Sequence, residues 1–271
     1  QKLTEAWGQQ MVVDNRGGGG SVIGTEVVAR SAPDGYTLLL TAFPFTTNAA
    51  LLPKLPYDSL QDFAPVTLAA LAPLIVVVHP SLPVRSTKDL VAVARARPGQ
   101  LSYGSSGHGG PQHLAGELFK SMAGVDMVHV PYKGGAPATV DLVGGQVQVG
   151  FSSLLTVMTF VKSGRLRAIA VTSARRSAIL PELPTLAEGG YPGYETTTWY
   201  GILVRAGTPA SIVSTLNADL ARALKLPEIR DRLATEGAEA VSNSPAAFAA
   251  FLQAEIERVR KLSKLAILKL D

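Results

Sequence analysis

Leu74-Ile75-Val76-Val77-Val78 is an unbroken apolar run dominated by β-branched residues, the composition of a strand covered on both faces. Downstream, Ser86-Thr87-Lys88-Asp89 fits a capping box that opens a helix, with Leu90 and Val93 on its apolar side. Further strand-like runs are Leu101-Ser102-Tyr103, Val147-Gln148-Val149-Gly150-Phe151, Ala168-Ile169-Ala170-Val171 and Trp199-Tyr200-Gly201-Ile202-Leu203-Val204. Upstream, Tyr36-Thr37-Leu38-Leu39-Leu40 follows the turn Pro33-Asp34-Gly35. Helices fall between the strands. Thr208-Pro209 predicts an N-cap with proline at the first helical position, ahead of the stripe Ile212, Val213, Leu216, Leu220 and Leu224. Ser244-Pro245 repeats the device ahead of Phe248, Phe251, Leu252 and Val259. Strands alternating with helices predict an α/β fold with a largely parallel sheet.

The chain has 271 residues, enough for about two domains. Hydrophobic residues make up 46% and charged residues 17%, which excludes a disordered chain. Lys+Arg 25 against Asp+Glu 21 leaves +4, spread without a long run, so no nucleic-acid footprint is expected. The absence of cysteine excludes a disulfide framework, a Cys-ligated zinc and a thiol nucleophile. The longest apolar stretch, Leu68 to Val78, is interrupted by Pro73 and falls short of the roughly 20 residues a membrane span needs. Gln1 to Trp7 reads as the end of a helix already under way.

Several junctions carry chemistry. Gly17-Gly18-Gly19-Gly20, expected between a short strand and a helix, lacks the spacing and the downstream acid of a dinucleotide fingerprint, and reads as a helix-entry loop. Tyr103-Gly104-Ser105-Ser106-Gly107-His108-Gly109-Gly110-Pro111 joins a strand to a helix. Its small residues leave first-turn N–H groups and the positive dipole end open to an anion. Ser106 sits in a near-match to a nucleophile elbow, with His108 where glycine belongs. His108 and His113 are five apart, which assigns them to different helix faces, and no third ligand is suggested, so no metal is expected. Val130-Pro131-Tyr132-Lys133-Gly134 is another strand-to-helix junction, and Phe151-Ser152-Ser153 closes a strand. Strand ends thus offer glycine, hydroxyls and tyrosine in place of catalytic acids and bases, a set suited to gripping a ligand.

Many motifs in one order resemble a single family over nearly the whole chain. They include Pro33-Asp34-Gly35-Tyr36-Thr37-Leu38-Leu39, Asp62-Phe63-Ala64-Pro65-Val66, His113-Leu114-Ala115-Gly116-Glu117-Leu118-Phe119, Val130-Pro131-Tyr132-Lys133-Gly134 and Leu166-Arg167-Ala168-Ile169-Ala170-Val171-Thr172-Ser173. The family is the Bug-type periplasmic solute-binding receptors of tripartite tricarboxylate transporters. The resemblance implies a two-lobed type II periplasmic-binding-protein (Venus-flytrap) α/β fold with a ligand cleft between the lobes. Lobe 1 is expected over 1–75 and 201–271, without its first strand and ligand loop, and lobe 2 over 76–200. It also implies a small carboxylate ligand, a di- or tricarboxylate or an aromatic acid, and a membrane permease as partner. A periplasmic location and a monomer are expected, with no cofactor and no catalysis. By the same resemblance, Ser105, Ser106, Gly107, His108 and Gly109 grip the carboxylate. Thr41 and Phe43 wall the first lobe, and Tyr132 and Ser152 complete the set. Many relatives carry Asp where this chain has Ser152, so an amino-acid ligand is not expected. Two other readings stay open on the residues: a small serine hydrolase using Ser106, and a ligand-sensing receptor for a signalling partner.

Overall fold

The computed structural model describes residues 2–264, so the end of the expected 201–271 segment lies outside them. The chain opens with α1 (Lys2–Trp7), a 3-10 turn (Gly19–Ser21), α2 (Val22–Ala29), β1 (Leu38–Ala42), α3 (Pro44–Leu51) and β2 (Phe63–Val78). It continues with α4 (Thr87–Ala96), β3 (Ser102–Ser105), α5 (Pro111–Ala123), β4 (Val128–Pro131), α6 (Gly135–Val143), β5 (Val149–Ser153), α7 (Leu154–Lys162) and β6 (Arg167–Val171). Last come β7 (Thr197–Arg205), α8 (Ala210–Leu224), α9 (Pro227–Thr235), β8 (Glu239–Ala240) and α10 (Pro245–Lys264). Two units result. Among the described residues, unit 1 holds 2–71, Trp199–Ala234 and 238–264; unit 2 holds Ala72–Thr198 and Thr235–Gly237. The breaks therefore fall inside β2 and β7.

In unit 2 the order is β6-β2-β5-β3-β4. β3, β4 and β5 run parallel, and β2 runs against both of its neighbours, with Ile75 opposite Ser152 on one side and Val171 on the other. The sheet is thus mixed, whereas alternation alone predicted it largely parallel: β2 enters from unit 1 and takes the central place. Its last five residues are buried, and their side chains alternate between two cores. Leu74, Val76 and Val78 pack with Leu90, Phe119, Phe151 and Tyr194, and Ile75 and Val77 pack with Leu142, Leu154, Val157 and Leu166. α4 and α5 therefore cover one face, α6 and α7 the other. β4 ends the order as a four-residue strand closed by the exposed Pro131. The outer side of β6 is met by the segment at Pro184–Thr185, which receives the Val171 N–H and bridges Val171.

In unit 1, β1 pairs antiparallel with β7, which lies beside β2, and β8 pairs with β2 at Ala70 and Leu71. Val66 and Val204 pack against the Val213, Leu216 and Leu220 stripe of α8. Aromatic residues fill another part of the unit: Phe45 and Tyr57 meet Phe63 edge-on, and Trp199 meets Phe248 and Phe251. The Ser86 hydroxyl caps α4 by accepting the Asp89 N–H at 3.2 Å, as its sequence predicts. The Thr208 cap is displaced by one residue. Its hydroxyl instead donates to the Arg205 carbonyl at 2.7 Å, and Pro209 becomes the N-cap of α8. Among the described residues no strand precedes the glycine run, which leads through the 3-10 turn into α2.

Gly201 on β7 lies under the Phe248 ring, where an added Cβ would come within 2.1 Å of the ring carbon Cζ. Gly201→Ala is expected to lower stability by about 1–3 kcal/mol through overpacking, read as an earlier urea midpoint. Adding Phe248→Leu to that variant should recover part of the loss. An unchanged midpoint for the single variant would show that strand and ring are not in contact.

Candidate functional site

Because β3, β4 and β5 are parallel, their C-terminal ends share one edge of the unit 2 sheet, the edge at which open α/β sheets hold ligands. Each strand is followed by a helix: α5 starts at Pro111, α6 at Gly135 and α7 at Leu154. None of the three has a side-chain N-cap bond, since Gly110, Gly134 and Ser153 leave the first-turn N–H groups uncapped by their side chains. Three positive dipole ends thus converge on one sheet edge. The residues expected to bind ligand divide between the units. Ser105 to Gly109, Tyr132 and Ser152 belong to unit 2 and gather at this edge. Thr41 and Phe43 belong to unit 1, where both are buried, Thr41 opposite Gly201 on β1 and Phe43 at the start of α3.

The Ser105–Gly109 loop is held from within. Ser105 is fully buried at the end of β3, and its hydroxyl donates to the Gly107 carbonyl at 3.0 Å, receives the Gly107 N–H at 3.1 Å and lies 2.6 Å from His129 Nε2. The Ser105 side chain therefore shapes the loop and is turned away from its outer surface. The Ser106 N–H donates to Gln112 Oε1 at 2.6 Å, and the Gly109 N–H donates to His113 Nδ1 at 3.0 Å. Gly107 and Gly109 adopt φ of 130° and 71°, which only glycine takes without strain, and this turns the loop back toward α5. The Tyr132 N–H donates to the Ser105 carbonyl, which fixes the β4–α6 junction beside the loop. The Tyr132 hydroxyl donates to Asp141 at 2.7 Å, and burial, followed by this bond to the carboxylate, pushes the phenol up to about 12. Ser152 is buried on β5, opposite Ile75.

The fold also assembles a group that sequence reasoning excluded. His108 precedes α5, so the argument from helix faces does not apply to it, and β4 supplies the third imidazole, His129. The possible ligand atoms of His108, His113 and His129 all lie within 4.8 Å of one another. His113 stacks on His129 with centroids 3.9 Å apart, His129 stacks on Tyr103, and His108 stands edge-on to both histidines. Burial, and then the charge of the neighbouring histidines and Lys120, holds both His113 and His129 down at about 4. Below them, Glu117 accepts from the Tyr103 hydroxyl at 2.6 Å and pairs with Lys120 at 2.9 Å. Gln112 was also missed. A glutamine two residues after a glycine pair carries no sequence signal, and its role appears only once the loop folds back on α5.

Of the two serine–histidine contacts among the described residues, one joins Ser105 to His129 and the other Ser81 to His79. Neither involves Ser106, so the hydrolase reading lacks its base.

A model of the tripartite tricarboxylate transporter family receptor matches residues 1–267. The BugT protein of Bordetella pertussis is 38% identical over 258 residues, covering 94% of this chain and 79% of its own length. A solved R. palustris protein with adipate is 40% identical with a TM-score of 0.83, over 98% of this chain and 90% of that one. MatC from Rhodopseudomonas palustris, solved with bound malate, is 29% identical with a TM-score of 0.77, over 96% and 90%.

Both low-lying imidazoles are neutral in the folded unit at neutral pH, while in the unfolded chain they titrate near 6.5. The unfolded state therefore binds more protons, and stability is lost as pH falls from about 6.5 toward 4. Each ring is expected to contribute about 1 kcal/mol per pH unit to that loss. Urea midpoints between pH 7 and 5, above the range of ordinary carboxylates, measure it. His129→Gln should flatten the slope, and an equal slope in the variant would remove His129 from this account.

Proposed function

Because the chain belongs to the tripartite tricarboxylate transporter receptor family, and is a solute-binding receptor and not an enzyme, we propose that it takes up a small dicarboxylate outside the cytoplasm and presents it to a membrane permease. Among the described residues no helix is long and apolar enough to cross a membrane. The observation that carries the ligand class is the convergence of three helix N-termini without side-chain caps at the C-terminal edge of β3, β4 and β5. Such an edge binds a carboxylate through backbone N–H groups without charged side chains. The relatives solved with adipate and with malate hold ligands of this class.

In this reading the first turns of α5 and α6 receive one carboxylate beside the loop Ser106-Gly107-His108-Gly109, whose Ser106, Gly107 and Gly109 N–H groups are already engaged, and Ser152 faces the ligand from β5. Ser105 and Gln112 position the loop. Thr41 and Phe43 are the residues of unit 1 assigned to the same ligand, and the receptor acts as a monomer in the periplasm. Ser152 brings a neutral hydroxyl where an ammonium group would need a carboxylate, so deaminated acids should be preferred to aspartate and glutamate.

Binding is tested by thermal shift. At 100-fold over Kd a ligand adds about 2.7 kcal/mol, which at roughly 2–4 °C per kcal/mol gives a rise of several degrees. Adipate or malate should produce it and glutamate should not. A larger shift with glutamate or aspartate would overturn the Ser152 assignment. Gln112→Glu keeps an acceptor for the Ser106 N–H but adds negative charge beside the uncapped helix ends. It should leave the ligand-free melting temperature unchanged and weaken dicarboxylate binding at least tenfold, about 1.4 kcal/mol. Unaltered affinity would place the carboxylate elsewhere.

A further inference from the structure

We propose that His108, His113 and His129 form a binding site for a borderline divalent transition metal, with Zn2+ or Ni2+ as the fitting cations. The donor set is three imidazoles and no carboxylate, which suits zinc, nickel or copper and not calcium or magnesium. Packing alone accounts for two members of the group. His113 and His129 are stacked on each other and on Tyr103, and each has one nitrogen engaged, His113 Nδ1 by the Gly109 N–H and His129 Nε2 by Ser105. It does not account for His108, an exposed ring that stands 5.2 and 5.6 Å from the other two and has no hydrogen bond among the described residues.

Ligand nitrogens now within 4.8 Å of one another must come to about 3.3 Å around a tetrahedral zinc with bonds of roughly 2.0–2.1 Å. His113 is carried by α5 and His129 by β4, and their rings are stacked nearly parallel, so one of them must turn about χ2 to aim its lone pair at a shared ion while His108, between Gly107 and Gly109, moves inward. The free nitrogens are Nδ1 of His129 and Nε2 of His113. Ser105, itself bonded to the Gly107 carbonyl, is the outer partner that orients the His129 ring. For His113 to ligate through Nε2, its proton must sit on Nδ1, which then no longer accepts the Gly109 N–H. One displacement of the loop thus releases that bond and brings His108 inward. Three protein ligands leave a fourth position for water or another oxygen donor.

The site does not rest on the carboxylate reading and is tested without a carboxylate. The whole chain, free of affinity tags, is titrated with Zn2+ by calorimetry and with Co2+ by visible absorption. One equivalent with a micromolar or tighter Kd and a ligand-field band of nitrogen coordination are expected. His108→Ala, at an exposed position, should leave the metal-free melting temperature unchanged and weaken Zn2+ at least tenfold. His79→Ala, outside the group, should change nothing. No binding of either metal, or undiminished Zn2+ binding in His108→Ala, would overturn the proposal. Dicarboxylate titration in the presence of a chelator keeps failure of this site separate from failure of the receptor reading.

Discussion

Strand β2 carries the constraint on which unit 2 depends. From Leu74 to Val78 it is hydrogen-bonded on both edges and buried on both faces, so every one of its side chains must be apolar and each must fit one of two cores. β-Branched residues meet that demand because they are stiff at χ1 and pack well on a pleated surface. Once this strand is central, β5 and β6 pair against it, and β5 in turn orders β3 and β4 with their C-terminal ends together. The edge that carries the loops is set by a strand that contributes nothing to them.

At that edge charge is supplied by the backbone. The residues that would otherwise cap the helices are glycines or leave their hydroxyls elsewhere, as Ser153 does with Thr156. Side chains that do point toward the edge are spent on holding the loop: Ser105 on Gly107, Gln112 on Ser106, and His113 on Gly109. A glycine-rich loop needs such internal support, because each glycine that lets the backbone turn also frees it to move.

Much of this was legible in the residues. The unbroken run at Leu74, the Ser86 cap and the alternation of strand and helix gave the class of fold, and the motif order gave the family. What escaped was of two kinds. Pro65 and Pro73 concealed the length of β2, since periodicity stops at proline. The strand continues because Pro73 lies between two ladders, one at Ala70–Leu71 with β8 and one beginning at Leu74 with β5, where a missing N–H costs no bond. The histidine group escaped because it is a product of register. His129 is opposite Tyr103 only through the pairing of β3 with β4, and a count of residues between His108 and His113 says nothing of a ring 16 positions further along the chain.

The ends of the unit 2 sheet have a consequence for life at high concentration. A free strand edge offers a row of unpaired N–H and C=O groups on which a second molecule can add a strand. Here β4 presents only four residues and closes on a proline that has no N–H to give, while the opposite side, β6, is met by the Pro184–Thr185 segment of its own chain. One end is thus short and stopped by proline, and the other is covered at Val171. A strongly apolar central strand is thereby kept inside a sheet whose ends are poor starting points for fibres.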